Sequence, residues 1–239
     1  MAPCQELACL LREVKYTPHG DWTGSISHGE LIRQGAEANI YLGKWFGHPA
    51  IFKRRLPKAY RQPNIDAELR RRRTSREASF MAKARGVGVP TPQIYFVDPG
   101  NGEIIMQHLS GIRVKDAIHQ SIKEGEEEIW SRLGTLTAKL HDNSIVHGDL
   151  TTSNLILTET EELVLFDFGL SFHSDRVEDY AVDVHLLKEA LTSAHSTLAE
   201  EALELVIKAY SQVMGKRRTE ILTSKVQEIE RRGRYARPD

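Results

Sequence analysis

Two features that would organise a chain without an ordinary core are nearly missing here. Only Cys4 and Cys9 are cysteines in 239 residues, and both lie close to the N-terminus. Two neighbouring thiols build no disulfide framework, so a cross-linked secreted scaffold is excluded and a reducing compartment is expected. Long apolar runs are absent too, the longest being about five residues against the ~18 that a membrane span needs. The stretch Leu7-Ala8-Cys9-Leu10-Leu11 has no basic flank and is cut by Arg12 and Glu13, so no signal peptide and no membrane association are read. Net charge is also close to nil, at −1.

What remains is an ordinary foldable composition. Hydrophobic residues make up 40% and charged residues 27%, enough to form a core without staples. At ~100–200 residues per domain, the length fits one large domain or two small ones. The near-zero charge hides a strong asymmetry. Residues 53–73 carry nine Lys/Arg against Asp66 and Glu68, and residues 215–239 carry eight against four Asp/Glu. Such patches attract polyanions, although a solvated helix face and a frayed tail would look similar.

Periodicity divides the chain into a strand-rich and a helix-rich part. Leu7, Leu10, Leu11 and Val14 predict a short amphipathic helix over 5–15, and residues 16–28 read as a linker. Short apolar runs at 31–32, 40–42 and 50–52, separated by glycines and Pro49, predict an antiparallel meander. A helix is expected over 66–85, then a hairpin pairing 94–97 with 103–107 around Asp98-Pro99-Gly100-Asn101-Gly102. Ile129, Leu133, Leu136 and Leu140 mark one face of a buried helix. A strand is expected at 163–166, and helices near 178–194, 198–214 and 219–232. Strands first and helices later imply two lobes with 107–111 as the hinge.

The run HGDLTTSN at 147–154 interrupts this pattern. It holds too many small polar groups for a helix interior and is bracketed by apolar stretches, which makes it a loop between two strands. Asp149 and Asn154 lie within it, and Asp167 follows in Asp-Phe-Gly directly after the apolar strand. Upstream stand Lys53 at the end of an apolar strand run, Glu77 mid-helix, and Gly35 in the turn Gly35-Ala36-Glu37-Ala38-Asn39. Singly, each of these is common by chance. In this order they match the parts of a protein-kinase-like phosphotransferase.

The residue types fit that chemistry. A triphosphate needs a cation, which Lys53 can supply, and Lys53 needs a carboxylate to aim it, which Glu77 can supply. Magnesium prefers hard oxygen ligands, so Asn154 and Asp167 are its candidates. Asp149 can take a proton from an attacking hydroxyl or orient a water. His147 is expected to brace the loop.

HGDLTTSN, DFGLSF, QGAEANIY, RRRTSREASFMAKAR and RRGRYAR together resemble the p53-related protein kinase family, the small atypical kinases of the KEOPS (EKC) complex. The resemblance covers roughly residues 29–237. It implies an α+β, two-lobed protein-kinase-like fold: an antiparallel-sheet N-lobe with one main helix (29–107), a reduced, mostly helical C-lobe (108–230) and a basic tail (231–239), with 1–28 as an extension. It implies ATP and Mg2+ as cofactors, with Gly35, Ala36, Glu37, Ala38, Asn39, Lys53, Glu77, Met106, Gln107 and His108 around the nucleotide, Asn154 and Asp167 on the metal, and Asp149, Lys53 and Asn154 as catalytic groups.

The resemblance further implies ATP hydrolysis and Ser/Thr kinase activity in support of N6-threonylcarbamoyladenosine synthesis at tRNA position 37. The implied partners are an OSGEP-like transferase subunit at the C-lobe, a TPRKB-like regulatory subunit at the N-lobe, and tRNA along 53–73 and 231–237. The implied location is cytoplasm and nucleus. Departures from ordinary kinases carry meaning. Gly148 and Thr151 replace an arginine and a lysine, Glu37 sits in the glycine loop, and no Ala-Pro-Glu follows Asp167. All four weaken the case for an efficient kinase acting on other proteins. A small-molecule phosphotransferase of aminoglycoside- or choline-kinase type also uses His-Gly-Asp-x4-Asn, but the short basic tail disfavours it. An ATP-binding pseudokinase scaffold is disfavoured by the complete motif set.

Overall fold

The computed structural model describes residues 15–16, 22–23, 26–119, 126–194 and 196–235. The helix expected over 5–15 lies outside the described residues, except that Lys15 is in a strand. The chain divides into two compact units, Met1–Ala78 with Gln93–His108, and Ser79–Pro92 with Leu109–Asp239.

In the first unit, the segment expected to be a linker contains strands. β1 (Lys15–Tyr16) pairs with β2 (Trp22–Thr23), and β3 (Ile26–Gln34) starts before residue 29. The reason is Ile26, a β-branched residue buried among Ala50, Phe52 and Ile105. Its apolar area outweighs the turn-forming neighbours that dominated the sequence pattern. β4 (Ala38–Trp45) and β5 (His48–Arg55) complete the expected meander. β6 (Ile94–Asp98) and β7 (Glu103–Gln107) form the expected hairpin. The five-stranded antiparallel sheet has the order β3-β4-β5-β7-β6, which puts β5 in the middle.

Both faces of β5 are covered. Ala50 and Phe52 point into the aromatic-rimmed core, while Lys53 and Arg55 are buried as well. Side chains alternate along a strand, so Lys53 and Arg55 share the opposite face from Phe52. α1 (Pro63–Gly86) begins with Pro at its first turn, where the missing N–H is harmless, and Asp66 N–H donates to Gln62 O. Its buried stripe is Thr74, Glu77, Ala78, Met81 and Ala84, at helical spacing. Residues 63–78 of α1 belong to the first unit and 79–86 to the second.

In the second unit, β8 (Gly111–Arg113) and α2 (Val114–His119) precede α3 (Glu126–Asp142). β8 is absent from the sequence reading, which placed a hinge at 107–111. It adds to β10 (Leu155–Thr158), which pairs on its other side with β11 (Leu163–Leu165). β9 (Ile145–Val146) pairs with β12 (Phe172–His173). The helices α4 (Val177–Ala194), α5 (Ala199–Met214) and α6 (Lys216–Tyr235) follow. Ile129, Leu133, Leu136 and Leu140 of α3 are all buried, as their spacing predicts. Ala138 joins Val146, Tyr180, Val184, Tyr210, Leu222 and Val226 in one cluster, tying α3 to all three C-terminal helices.

Candidate functional site

The second unit positions its polar residues with two ladders. The 147–154 loop leaves β9 and enters β10, and the 166–171 loop leaves β11 and enters β12. Because β9 pairs with β12 and β10 with β11, both loops span the same two ladders and lie side by side. Phe166 N–H donates to Asn154 O at 3.1 Å, and Ser171 Oγ donates to His147 O at 2.8 Å. The rings of His147 and Phe168, both fully buried, meet at 4.7 Å. The loop is not irregular throughout: residues Thr152–Asn154 form a 3-10 turn with Thr152 buried.

Asn154 donates its side-chain NH2 to Asp149, to the main-chain O at 2.9 Å and to Oδ2 at 2.8 Å. That use of the nitrogen leaves the amide oxygen as the acceptor end of the side chain. Asp149 N–H is received by His147 Nδ1 at 3.3 Å. His147 thus braces the loop, and its ring is packed rather than presented. Asp167 adopts φ 64, the left-handed region that a non-glycine residue occupies at a cost of ~1–3 kcal/mol and that clusters at functional sites. An Asn amide oxygen and an Asp carboxylate suit magnesium, which takes one or two protein carboxylates and completes its shell with phosphate and water. Among the described residues no group of three or more His, Cys, Asp or Glu forms a metal cage.

Sequence reasoning missed the residue that holds this loop in place. Asp183 on α4 is fully buried and accepts N–H groups from His147 and Gly148, each at 2.7 Å. Its Oδ2 also lies 3.2 Å from His141 Nε2, and His141 Nδ1 lies 3.0 Å from Tyr210 OH. Burial pushes the Tyr210 phenol up, so it stays protonated beside His141. The signal was available: Asp183 is a lone carboxylate in the buried stripe Tyr180, Ala181, Val184, Leu187 and Leu191. Gly148 is explained by the same geometry. It has φ 78, and a Cβ would sit 2.6 Å from Leu170 O, so neither arginine nor any other side chain fits.

The first unit gathers the cationic groups. Lys53 Nζ lies 2.6 Å from Glu77 Oε1, with Glu77 fully buried, so the helix does turn its carboxylate inward. Arg55, which the sequence reading left in the basic patch, is buried too and holds Glu77 Oε2 at 2.5 Å. In the glycine turn, Gly35 N–H donates to Ala38 O at 3.0 Å, and a Cβ at Gly35 would meet that oxygen at 2.8 Å. Ala36 O receives Lys58 Nζ, and Glu37 pairs with Arg73 at 2.5 Å. Ala38 and Asn39 are buried, with Asn39 Nδ2 on Tyr41 OH at 3.3 Å. At the end of β7, Met106 is buried, Gln107 is bonded to Gln93, and His108 N–H reaches Pro49 O at 3.4 Å.

The 53–73 patch is less free than its composition predicts. Besides Lys53 and Arg55, Arg54 pairs with Glu103, Arg61 and Arg70 with Asp66, and Arg71 and Arg72 with Glu68. Glu37, Glu77 and Glu103 lie outside the counted segment and neutralise part of it. The two arginines on Glu68 hold that carboxyl at about 2.

Comparison with known proteins places this geometry. The family described as the ABC1 atypical kinase-like domain matches residues 66–203. The KEOPS complex subunit Bud32 of Pyrococcus abyssi is 41% identical over 212 residues, covering 86% of this chain and 96% of that protein. The chain belongs to the Bud32 family. A mouse Bud32 relative, the EKC/KEOPS complex subunit Tp53rkb, is 38% identical over 215 residues, 86% of each chain. A probable bifunctional tRNA threonylcarbamoyladenosine biosynthesis protein of Methanothermobacter thermautotrophicus is 42% identical over 206 residues; the chain spans 36% of its length. Among solved structures, the Rio2 kinase of Chaetomium thermophilum in its ADP/Mg2+-phosphoaspartate complex aligns with a TM-score of 0.61 at 15% identity, over 98% of this chain and 75% of that one. This likeness shows the kinase-like fold. The Bud32-family chain is therefore of the atypical kinase type, with the antiparallel sheet in one unit and most helices in the other.

Proposed function

We propose that this protein is the ATP-hydrolysing, kinase-type subunit of a KEOPS assembly, supporting N6-threonylcarbamoyladenosine formation at position 37 of tRNA. The observation that carries this reading is 41% identity along 96% of a KEOPS subunit, with the Asp149–Asn154 pair intact. Lys53, aimed by Glu77, neutralises nucleotide phosphates, and the 35–39 turn approaches them by its backbone. Met106, Gln107 and His108 line the base. Asn154 and Asp167 hold Mg2+, which supplies charge neutralisation on the phosphate oxygens when bound. Asp149, steadied by Asn154, accepts a proton or orients a water.

Hydrolysis is favoured over transfer to other proteins for a reason visible in the backbone. Gly148 has no room for the arginine that would grip a phosphorylated loop. Ser/Thr kinase activity, on itself or on acidic proteins, is accordingly the minor activity in this reading. The protein works in cytoplasm and nucleus, with an OSGEP-like transferase at the helical unit, a TPRKB-like subunit at the sheet unit, and tRNA on exposed arginines such as Arg71, Arg72 and Arg231. Reconstitution with those subunits and tRNA, with the modified nucleoside measured by mass spectrometry, tests it. Wild type should support modification and Asp149→Ala should not; full modification with both Asp149→Ala and Asp167→Ala would refute it.

A further inference from the structure

Glu77 is held from two sides. Its Oε1 is taken by Lys53 at 2.6 Å and its Oε2 by Arg55 at 2.5 Å, and all three side chains are buried. Both cations come from the central strand, two residues apart on one face. Arg55 is itself tied down. Its N–H donates to Gly102 O at 2.9 Å, and its Nη1 lies 3.5 Å from Thr74 Oγ1, one turn before Glu77 on α1. Its Nε has no acceptor among the described residues.

A buried arginine with an unpaired N–H is a poor device for stability alone, because desolvation offsets much of the attraction. It is a good device for fixing a carboxylate, because the planar guanidinium is rigid and always charged. With one oxygen on each cation, Glu77 cannot turn away from Lys53 without abandoning a buried charge.

We propose that Arg55 is a positioning residue that keeps the Lys53–Glu77 pair permanently assembled, so that the nucleotide subsite needs no activating phosphorylation. The absence of room for an arginine at Gly148 agrees with this: a chain that cannot grip a phosphorylated loop needs its lysine aimed by other means. The inference rests on the reading of Lys53 as the phosphate-binding cation. Lys53 contacts phosphates that do not react, so misaiming it weakens ground state and transition state alike and raises KM more than it lowers kcat.

The test uses the full chain and Mg-ATP. Steady-state hydrolysis is measured for wild type, Arg55→Met, Arg55→Lys and Lys53→Met, with thermal melts and amide hydrogen exchange of residues 74–81. Arg55→Met should raise KM for ATP about tenfold, leave kcat within about threefold and speed exchange around Glu77. Arg55→Lys should recover part of the KM. A wild-type KM in folded Arg55→Met overturns the proposal. If Arg55→Met does not fold, Arg55→Lys decides: KM raised at least about threefold supports it, and an unchanged KM overturns it. Lys53→Met separates the two claims. If it abolishes tight ATP use while Arg55→Met does not, only the positioning role falls. If it changes nothing, the phosphate-binding reading falls as well.

Discussion

Asn154 donates to Asp149 twice, once to its backbone oxygen at 2.9 Å and once to its carboxylate at 2.8 Å. One carboxamide therefore fixes both the main chain and the side chain of the residue assigned to proton handling. Asn154→Ala should keep the fold but lower kcat for ATP hydrolysis by about 100-fold, the scale of a lost acid–base contribution. Asn154→Asp should differ in kind. A second carboxylate against Asp149 Oδ2 would push one of the pair upward, moving the acidic limb of the kcat–pH profile to higher pH. Stopped-time phosphate release across pH separates these outcomes.

Gly148 is held open by its backbone, not by chance of composition. Gly148→Ala forces a Cβ into the left-handed region and against Leu170 O. A loss of about 1–3 kcal/mol is expected, with a fall in melting temperature of about 3–8 °C for a chain of this size. Calorimetry of the single variant is sufficient, and an unchanged melting temperature would show that the loop relaxes freely.

Asp183 supports the 147–154 loop from below. Asp183→Ala would leave the His147 and Gly148 N–H groups unpaired in the interior, at a cost of about 3 kcal/mol or more. Asp183→Asn keeps an acceptor and should be milder in urea denaturation, while still lowering kcat because the loop loses one of its two charge-assisted bonds. His141→Phe, which removes a partner of Asp183 but neither loop bond, should reduce stability more than activity.

Glu68 predicts a pH and an RNA effect together. Hydrogen bonds from Arg71 and Arg72 lower its pKa from the ordinary 4.5 to about 2. A depressed carboxyl stabilises the folded chain above its unfolded value, and that contribution is lost as pH falls from about 4.5 through about 2. With Arg71 and Arg72 exposed and Glu68 half-buried, the cluster should respond to salt, and NMR titration should find Glu68 closer to 4.5 in concentrated salt. Glu68→Gln releases two arginines from their carboxylate. If this face meets tRNA, the variant should bind tRNA more tightly, with a steeper dependence on salt.

The parts legible in the sequence are those that periodicity or residue order encodes. The meander, the hairpin, α3 and the three C-terminal helices follow from apolar spacing, and Lys53, Glu77, Asp149, Asn154 and Asp167 from order along the chain. Arg55 was hidden because an arginine among nine basic residues reads as surface, although strand parity puts it on the face of Lys53. Asp183 was hidden because a short motif does not reveal what supports it from another helix. The strands before residue 29 were masked by turn-forming residues, and β8 was too short to stand out from a hinge. Arg70 pairs with Asp66, and Arg71 and Arg72 with Glu68, at helical spacing that a count of charges discards.

Magnesium-dependent release of phosphate from ATP, by the full chain with its transferase partner and tRNA, tests the central claim most directly. The account predicts turnover that rises with tRNA, vanishes without Mg2+, and is lost in both Asp149→Ala and Asp167→Ala while each variant melts like a folded protein. Equal turnover in wild type and both variants would contradict it.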